Sequence, residues 1–321
     1  MMERTRPKIE LYKTRSFSEK LNATFDFCTE NWKALLKWNT YLVLPLCFIV
    51  GFFLHGYFND LSSILALRGA KSVALVNSAL SFVLNAGGWI LSVILLSLVS
   101  VGLLYALLRL YNEREEGLDN LTFEELRPVL LRNIGRIILL SLLLLLLLTV
   151  LYGAVIAILI GMYAIHEWLC VLMVLLTIMW SFVLFIALSL TGPACLLDDE
   201  ESVISSMLKG LRLGIKTFGG VFSVGLMCTM ISWVVSSVAM VPYYGTMFPL
   251  MLKMRETGGS VFVPSGMDVL WAALLIVFMF FVNYLSHIVP MLGMGYQYGH
   301  AAAKYAARET ERVIEEDYEE L

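Results

Sequence analysis

Six long apolar stretches constrain this chain more than any other feature of its sequence. The hydrocarbon core of a bilayer is crossed by about 20 mostly apolar residues in a helix. Six stretches meet this requirement: 39–57, 83–111, 137–162, 168–191, 218–242 and 268–296. Membrane strands are excluded because none of the six alternates with a period of two. The sequence therefore predicts an all-α polytopic membrane protein with six transmembrane helices.

The composition agrees with a membrane protein. Of the 321 residues, 59% are hydrophobic and 15% are charged, whereas a globular domain has about a quarter charged residues. The formal net charge of −3 gives no basis for a nucleic-acid partner. We predict one integral membrane domain over residues 1–321, with a cytoplasmic segment at 1–38, a six-span bundle at 39–296 and an acidic cytoplasmic tail at 297–321.

Three amphipathic segments precede the three pairs of spans. The segments cover residues 17–36, 122–137 and 203–216. The second opens with Thr122 and Glu125, which are spaced as a capping box, and it contains Pro128, which we expect to bend or delay the helix. The pattern predicts three interfacial helices, each followed by a two-span hairpin. Such helices either brace the spans or sense the membrane, and the sequence leaves both roles open.

The third segment lies in a stretch that resembles a phosphate-binding loop. The residues "GLRLGIKT" begin at Gly210, but Ile215 separates Gly214 from Lys216 and no strand precedes them. We therefore interpret Gly210 and Gly214 as small residues that let this helix approach a span closely. The acids at 198–201 fit the N-terminus of the same helix, and a divalent ion is the alternative.

No metal or cofactor site is predicted. The five cysteines are scattered singly, which is typical of packing residues. The run "HEWLC" from His166 begins like a zinc motif, but Cys170 stands where the second histidine is needed.

The most informative polar residues lie in span 6. Asn283, Ser286 and His287 occupy one turn, and Pro290 should kink the helix beside them. Asn85 in span 2 is a candidate partner. These residues either form hydrogen bonds that hold the bundle or line a substrate or proton pathway.

Span 6 ends in a second pattern. Gly295 and Gly299 form a G-x-x-x-G pair, which is typical of close helix contacts.

Three stretches of the sequence resemble those of a known protein family, and one of them begins at Gly210. They read "KIELYKTRSFSEKLNATFDFCTENWKALLK", "GLRLGIKTFGG" and "GYQYGHAAAKY". They resemble a group of uncharacterised bacterial integral membrane proteins, chiefly from Bacteroidetes-type genomes. More distantly, the arrangement is similar to the membrane domain that accompanies some glycerophosphoryl diester phosphodiesterases, whose catalytic domain has no counterpart here. The resemblance implies a six-span bundle in the bacterial cytoplasmic (inner) membrane and no assigned reaction.

Three functions are consistent with these observations. The favoured one is a non-catalytic module that organises membrane lipids or binds a protein partner or a second copy. A transporter or channel for a small solute is the alternative that the polar sixth span suggests. An intramembrane lipid enzyme is disfavoured, because neither paired carboxylates at membrane depth nor a Ser-His pair with an orienting group occurs in the spans. We therefore expect a protein that is not an enzyme.

The distribution of Lys and Arg predicts the orientation of the chain. The segments assigned to the cytoplasm contain 19 of these residues, and the other side contains only Arg68, Lys71, Lys253 and Arg255. Because cytoplasmic segments retain positive charge, both termini should be cytoplasmic. Reporter fusions at residues 70, 165 and 260 should therefore report an extracytoplasmic location. A cytoplasmic signal at any of the three would contradict this topology.

Overall fold

A computed structural model describes residues 8–66, 73–198, 201–256 and 266–319, and the regular structure in these ranges is helical. The helices are α1 (Phe17–Glu30), α2 (Trp32–Leu42), α3 (Leu44–Ala66), α4 (Val73–Glu113), α5 (Phe123–Ile165), α6 (Glu167–Leu188), α7 (Thr191–Leu197), α8 (Val203–Lys216), α9 (Phe218–Glu256), α10 (Gly266–Ser286) and α11 (Ile288–Glu319).

Six helical stretches in the described ranges are long and apolar enough to cross a membrane. They are Leu44–Leu61, Leu75–Glu113, Phe123–Tyr163, Glu167–Leu197, Phe218–Thr246 and Leu270–Ala307. The prediction of an all-α, six-span membrane protein is confirmed. Several helices are longer than a bilayer needs. The 43 residues of α5 extend over about 65 Å at the usual rise per residue.

Two helix starts carry capping boxes, and the sequence predicts the one at Thr122. The Ser16 side chain accepts from the Glu19 backbone and the Glu19 side chain accepts from the Ser16 backbone, so both halves of a capping box are present. Thr122 and Glu125 form the same arrangement at the start of α5. These reciprocal bonds satisfy N–H groups that have no partner inside the helix.

The second amphipathic segment is not a separate helix, which corrects the prediction for residues 122–137. Helix α5 runs without interruption from Phe123 through the predicted span to Ile165, and Pro128 lies inside it. Pro128 therefore does not delay the helix. Pro128 is the sixth residue of α5, so the helix continues past it despite the loss of one backbone donor.

The first amphipathic segment also differs from the prediction, because two helices cover it. Asn31 ends α1 with a non-helical backbone, so Trp32 and Leu35 belong to α2. A second interruption follows at Val43, just before Pro45 near the start of α3. A proline is tolerated in the first turn of a helix and not further inside, so it favours a break at this point.

Helix α8 has two faces of different character. The buried residues are Ser206, Met207, Gly210, Leu213 and Gly214. Ile204, Leu208 and Ile215 are exposed, at 54%, 53% and 59%. Their spacing of four and seven places them on one helical stripe. The spacing of Val203, Met207, Leu211 and Ile215 predicts one apolar face. The structure instead buries Met207 and exposes Ile215.

The chain divides into two compact units. Unit 1 comprises Met1–Asn31, Gly102–Cys228 and Val289–Leu321, and unit 2 comprises Trp32–Val101 and Thr229–Ile288. In unit 1, α8 packs on α7, α6 and α5. A core of unit 1 contains Ile186, Leu190, Ala194, Leu213, Val221, Tyr298 and Ala301. In unit 2, α3 packs against α2 and α10.

Glycines set the distance between α8 and the helices beneath it. A Cβ on Gly210 would lie 2.7 Å from the Thr191 Cα, and a Cβ on Gly214 would overlap the Ala187 carbonyl oxygen. Backbone atoms cannot rotate away as the end of a side chain can. The prediction that these glycines allow close approach is confirmed.

We expect Gly214→Ala to lower the free energy of unfolding by about 1–3 kcal/mol, because the added methyl group forces α8 away from α6. The measurement is the free energy of unfolding of the detergent-solubilised protein. Gly135→Ala is the matched control, because Gly135 lies within α5 and a Cβ added to it would meet no atom within 4 Å. The control should be unchanged or more stable by up to about 1 kcal/mol. Equal stability of the two variants would contradict the close contact.

Candidate functional site

The sequence predicts that span 4 ends at residue 191, but in the structure a short helix follows between α6 and α8. Helix α6 ends at Leu188, and the short helix α7 follows from Thr191 to Leu197. Pro193 lies in the first turn of α7 and does not end the helical path. The chain leaves the helical conformation at Asp198 and resumes it at Val203.

Arg136 of α5 holds this connection in place. Its Nε donates to the Cys195 carbonyl at 2.7 Å, and its Nη2 donates to the carbonyls of Asp198 and Glu201, each at 3.0 Å. Nη2 also donates to Ser206 Oγ at 3.3 Å. Carbonyl groups at the end of a helix have no partner within it, so a guanidinium group satisfies them well.

Asp198 collects three donors from distant parts of unit 1. Tyr12 donates to Oδ1 at 2.7 Å, and Tyr298 and Lys209 donate to Oδ2 at 2.5 Å and 2.6 Å. Lys209 also donates to Glu201 at 3.0 Å. We call Tyr12, Asp198, Glu201, Lys209 and Tyr298 the Asp198 cluster. It joins the N-terminal segment, α8 and α11 through one carboxylate.

The cluster stabilises its charged state. Burial raises the pKa of Asp198, but hydrogen bonds from Lys209, Tyr298 and Tyr12 outweigh it and hold the pKa below its ordinary value of 3.8. Burial lowers the pKa of Lys209, but its bonds to Asp198 and Glu201 outweigh this and raise the pKa. Burial and the charge of Asp198 raise the pKa of Tyr12, which keeps its hydroxyl a donor. Asp198 and Lys209 are therefore ionised at neutral pH.

An open groove of about 700 Å³ lies beside the cluster, between α8 and α11. Its charged and polar lining consists of Tyr12, Asp198, Glu201, Ser205, Lys209, Arg212 and Tyr305. Its apolar lining consists of Leu208, Leu213, Ala302, Ala303 and Ala306. We call this opening the α8 groove. It combines an apolar floor with charges of both signs, which is a combination that suits an amphipathic ligand.

The acids at 198–201 do not all act as predicted. Ser202 caps α8 by accepting from the Ser205 backbone, and the first turn of α8 contains no acid. Asp198 instead binds side chains, and Glu201 accepts from Ser205 Oγ at 2.8 Å. Asp199 and Glu200 lie outside the described residues. Among the residues that the structure does describe, no group of three or more His, Cys, Asp or Glu side chains is arranged to hold a metal ion.

Asn85, one of the predicted pathway residues, forms hydrogen bonds with α3 and within its own helix. Its Nδ2 donates to Asp60 at 2.8 Å and to Ser81 at 3.4 Å. The sequence does not predict Asp60 as a pathway residue, because the predicted first span ends at residue 57.

The polar turn of span 6 forms a hydroxyl cluster. Ser286 Oγ lies 3.0 Å from Ser232 Oγ and 2.7 Å from Ser236 Oγ, and it also donates to the Asn283 carbonyl at 2.7 Å. His287 is exposed, and its ring lies 6.4 Å from that of Tyr284. The pathway role of these residues stays a prediction.

The helix is interrupted at His287, between α10 and α11, and Pro290 is the third residue of α11. In unit 1, a Cβ on Gly295 would lie 2.9 Å from Leu108 Cδ2, and one on Gly299 would overlap the Leu11 carbonyl oxygen. Gly299 therefore lies against the N-terminal segment, whereas Gly295 lies against α4.

Comparison with known proteins gives no relative: no family model, no curated protein and no solved structure matches the chain. The family resemblance stays a prediction.

The Asp198 cluster predicts a stability difference that depends on pH. Asp198→Asn should lower the free energy of unfolding at neutral pH by about 1–3 kcal/mol, because charge-assisted hydrogen bonds are lost. The folded-state pKa of Asp198 is depressed, so its contribution is complete above 3.8 and is lost as the pH falls below that value. Unfolding of both proteins at several pH values should show the difference shrinking in acid.

The control is Glu116→Gln, which changes an exposed acid. It should alter stability by less than about 0.5 kcal/mol at any pH. If the difference in the free energy of unfolding between the wild type and Asp198→Asn persists unchanged in acid, the carboxylate charge contributes nothing to stability.

Proposed function

We propose that the protein is a non-catalytic, multi-pass protein of the bacterial inner membrane, with both termini in the cytoplasm, which binds phospholipid headgroups at α8. One observation carries the proposal. Helix α8 packs its glycine face on the helices beneath it and leaves an apolar stripe exposed beside the α8 groove.

The exposed stripe indicates where α8 lies. Ile204, Leu208 and Ile215 lie on one side of a 14-residue helix that is too short to span a bilayer. A continuous apolar stripe on a helix is unfavourable in water, and it is typical of a helix that lies in the headgroup plane. The helix follows one candidate span and precedes another, which supports a position at the membrane surface.

Two cations flank this stripe and supply a site for phosphate. Arg212 and Lys216 are exposed, and Arg212 lines the α8 groove. The Lys216 ammonium lies 4.3 Å from the centre of the Tyr305 ring. Such cations attract anionic lipid by about 1 kcal/mol each near the membrane surface. Ala302, Ala303 and Ala306 line one side of the groove. This side accommodates the apolar part of the lipid that adjoins the headgroup.

The chemistry of the groove supports binding in preference to catalysis. Its acids already accept hydrogen bonds from Lys209, Tyr12 and Tyr298, and the Ser205 hydroxyl donates to Glu201. No histidine is among the described residues that line the groove. A nucleophile with its base is the arrangement that hydrolysis of a lipid ester requires.

The test is a lipid titration of the purified protein in detergent. Added phosphatidylglycerol should raise the unfolding temperature of the wild type more than added phosphatidylcholine does. Combined Arg212→Gln and Lys216→Gln should weaken phosphatidylglycerol binding by about 2 kcal/mol, or roughly thirtyfold, because two lipid-facing charges are lost.

The matched control removes two exposed cations outside the groove, through Lys13→Gln and Arg127→Gln. It should retain most of the response to phosphatidylglycerol. Equal losses in the two double variants would point to a diffuse effect of net charge and would overturn the proposed site.

A further inference from the structure

The α8 groove contains charges of both signs along one side of α8. Glu201, Ser205, Lys209 and Arg212 all line it. Each follows the previous one by three or four residues, which is the spacing of neighbours on one helical face. The groove therefore has an acidic end at Glu201, beside the start of α8, and a basic end at Arg212.

Two carboxylates share one lysine at the acidic end. Lys209 Nζ lies 2.6 Å from Asp198 Oδ2 and 3.0 Å from Glu201 Oε1. Arg136 also lies at this end, where its Nε and Nη2 donate to backbone carbonyls and to Ser206 Oγ. The Glu201 side chain is 35% exposed, whereas that of Asp198 is 18% exposed. Glu201 is therefore the carboxylate that a ligand in the groove reaches more easily.

Glu201 is ionised and can accept further donors. Hydrogen bonds from Ser205 and Lys209 hold its pKa below the ordinary value of 4.5. Ser205 Oγ donates to Oε2 and Lys209 Nζ donates to Oε1, whereas an ionised carboxylate has about four acceptor positions. A positively charged group with several N–H donors complements such a carboxylate.

The basic end of the groove suits a phosphate group. Arg212 is exposed, and a guanidinium group forms paired hydrogen bonds with phosphate oxygens. The Glu201 carboxylate lies beside Ser205, and Arg212 is seven residues further on, which is about 10 Å along the helix axis. A long side chain on a helix extends back towards the N-terminus and so covers part of this distance. A headgroup whose two charges are joined by a short chain can therefore contact both ends.

We propose that the α8 groove selects a phospholipid whose headgroup ends in a primary ammonium, as in phosphatidylethanolamine. Arg212 binds the phosphate, and Glu201 accepts hydrogen bonds from the ammonium. This inference rests on the proposed headgroup site and specifies the headgroup. The apolar lining of the groove contacts the glycerol and the start of the acyl chains.

A quaternary ammonium fits the groove less well. Phosphatidylcholine carries the same two charges, but its trimethylammonium group has no N–H to donate to Glu201. Such groups are bound instead by the open faces of aromatic rings. In the described lining, Tyr12 donates its hydroxyl to Asp198, and the Lys216 ammonium already lies over the Tyr305 ring. A ring that already carries a cation is a poor site for a second one.

The test titrates the purified protein in detergent with four lipids that share their acyl chains and phosphate. They are phosphatidylethanolamine and its forms with one, two and three N-methyl groups, the last of which is phosphatidylcholine. The rise in unfolding temperature and native mass spectrometry report binding. Affinity should fall with each methyl group, and by about tenfold or more over the series, which corresponds to the loss of a hydrogen bond between charged groups.

Glu201→Gln separates the ammonium contact from the phosphate contact. It should weaken the binding of phosphatidylethanolamine about tenfold and reduce the differences within the methylation series. Binding of phosphatidylglycerol, which has no ammonium, should be unchanged or stronger, because a nearby negative charge is removed. Glu116→Gln, which changes an exposed acid outside the groove, is the matched control and should leave both affinities unchanged.

The outcomes distinguish this inference from the proposed headgroup site. Equal binding of the four lipids by the wild type would overturn the ammonium selectivity, and so would an equal loss of phosphatidylethanolamine and phosphatidylglycerol binding, or no loss of either, in Glu201→Gln. The phosphate contact survives these results if phosphatidylglycerol still binds the wild type. Binding of neither lipid would overturn both proposals. The methylation series is read from the wild type alone, so it holds even if a variant fails to fold.

Discussion

Arg136 is the residue on which the geometry of α8 depends most. Its guanidinium group binds three backbone carbonyls in the connection between α7 and α8. Carbonyl groups near a membrane must find partners within the protein. Because Arg136 supplies them, the chain can leave the helical conformation at Asp198 and resume it at Val203. The Asp198 carboxylate is then held where Tyr12, Tyr298 and Lys209 can all reach it.

The orientation of α8 follows from how helices associate in lipid. Burying an apolar side chain gains little there, because lipid tails are equally apolar, so close packing of small residues drives association. Gly210 and Gly214 provide this contact, and Met207 and Leu213 are buried on the same helix. Ile204, Leu208 and Ile215 remain exposed. This orientation gives the proposed headgroup site its apolar side.

The sequence predicts the features that depend on residues close together in the chain. It does not predict the contacts between residues that are far apart in the chain. The six spans and the cap at Thr122 are set by residues within a few turns. The continuity of α5 across residue 137 could have been predicted, because no capping or breaking residue marks a boundary there. The partners of Asp198 are not predicted, since Tyr12 is 186 residues away and Tyr298 is 100.

The carboxylates of Asp198 and Asp60 differ in the donors that bind them. Asp198 has a lysine at 2.6 Å and two tyrosine donors, so its charge is neutralised within the protein and can serve as a permanent joint. Asp60 has only neutral donors among the described residues. The Asp198 joint therefore holds its charge at neutral pH.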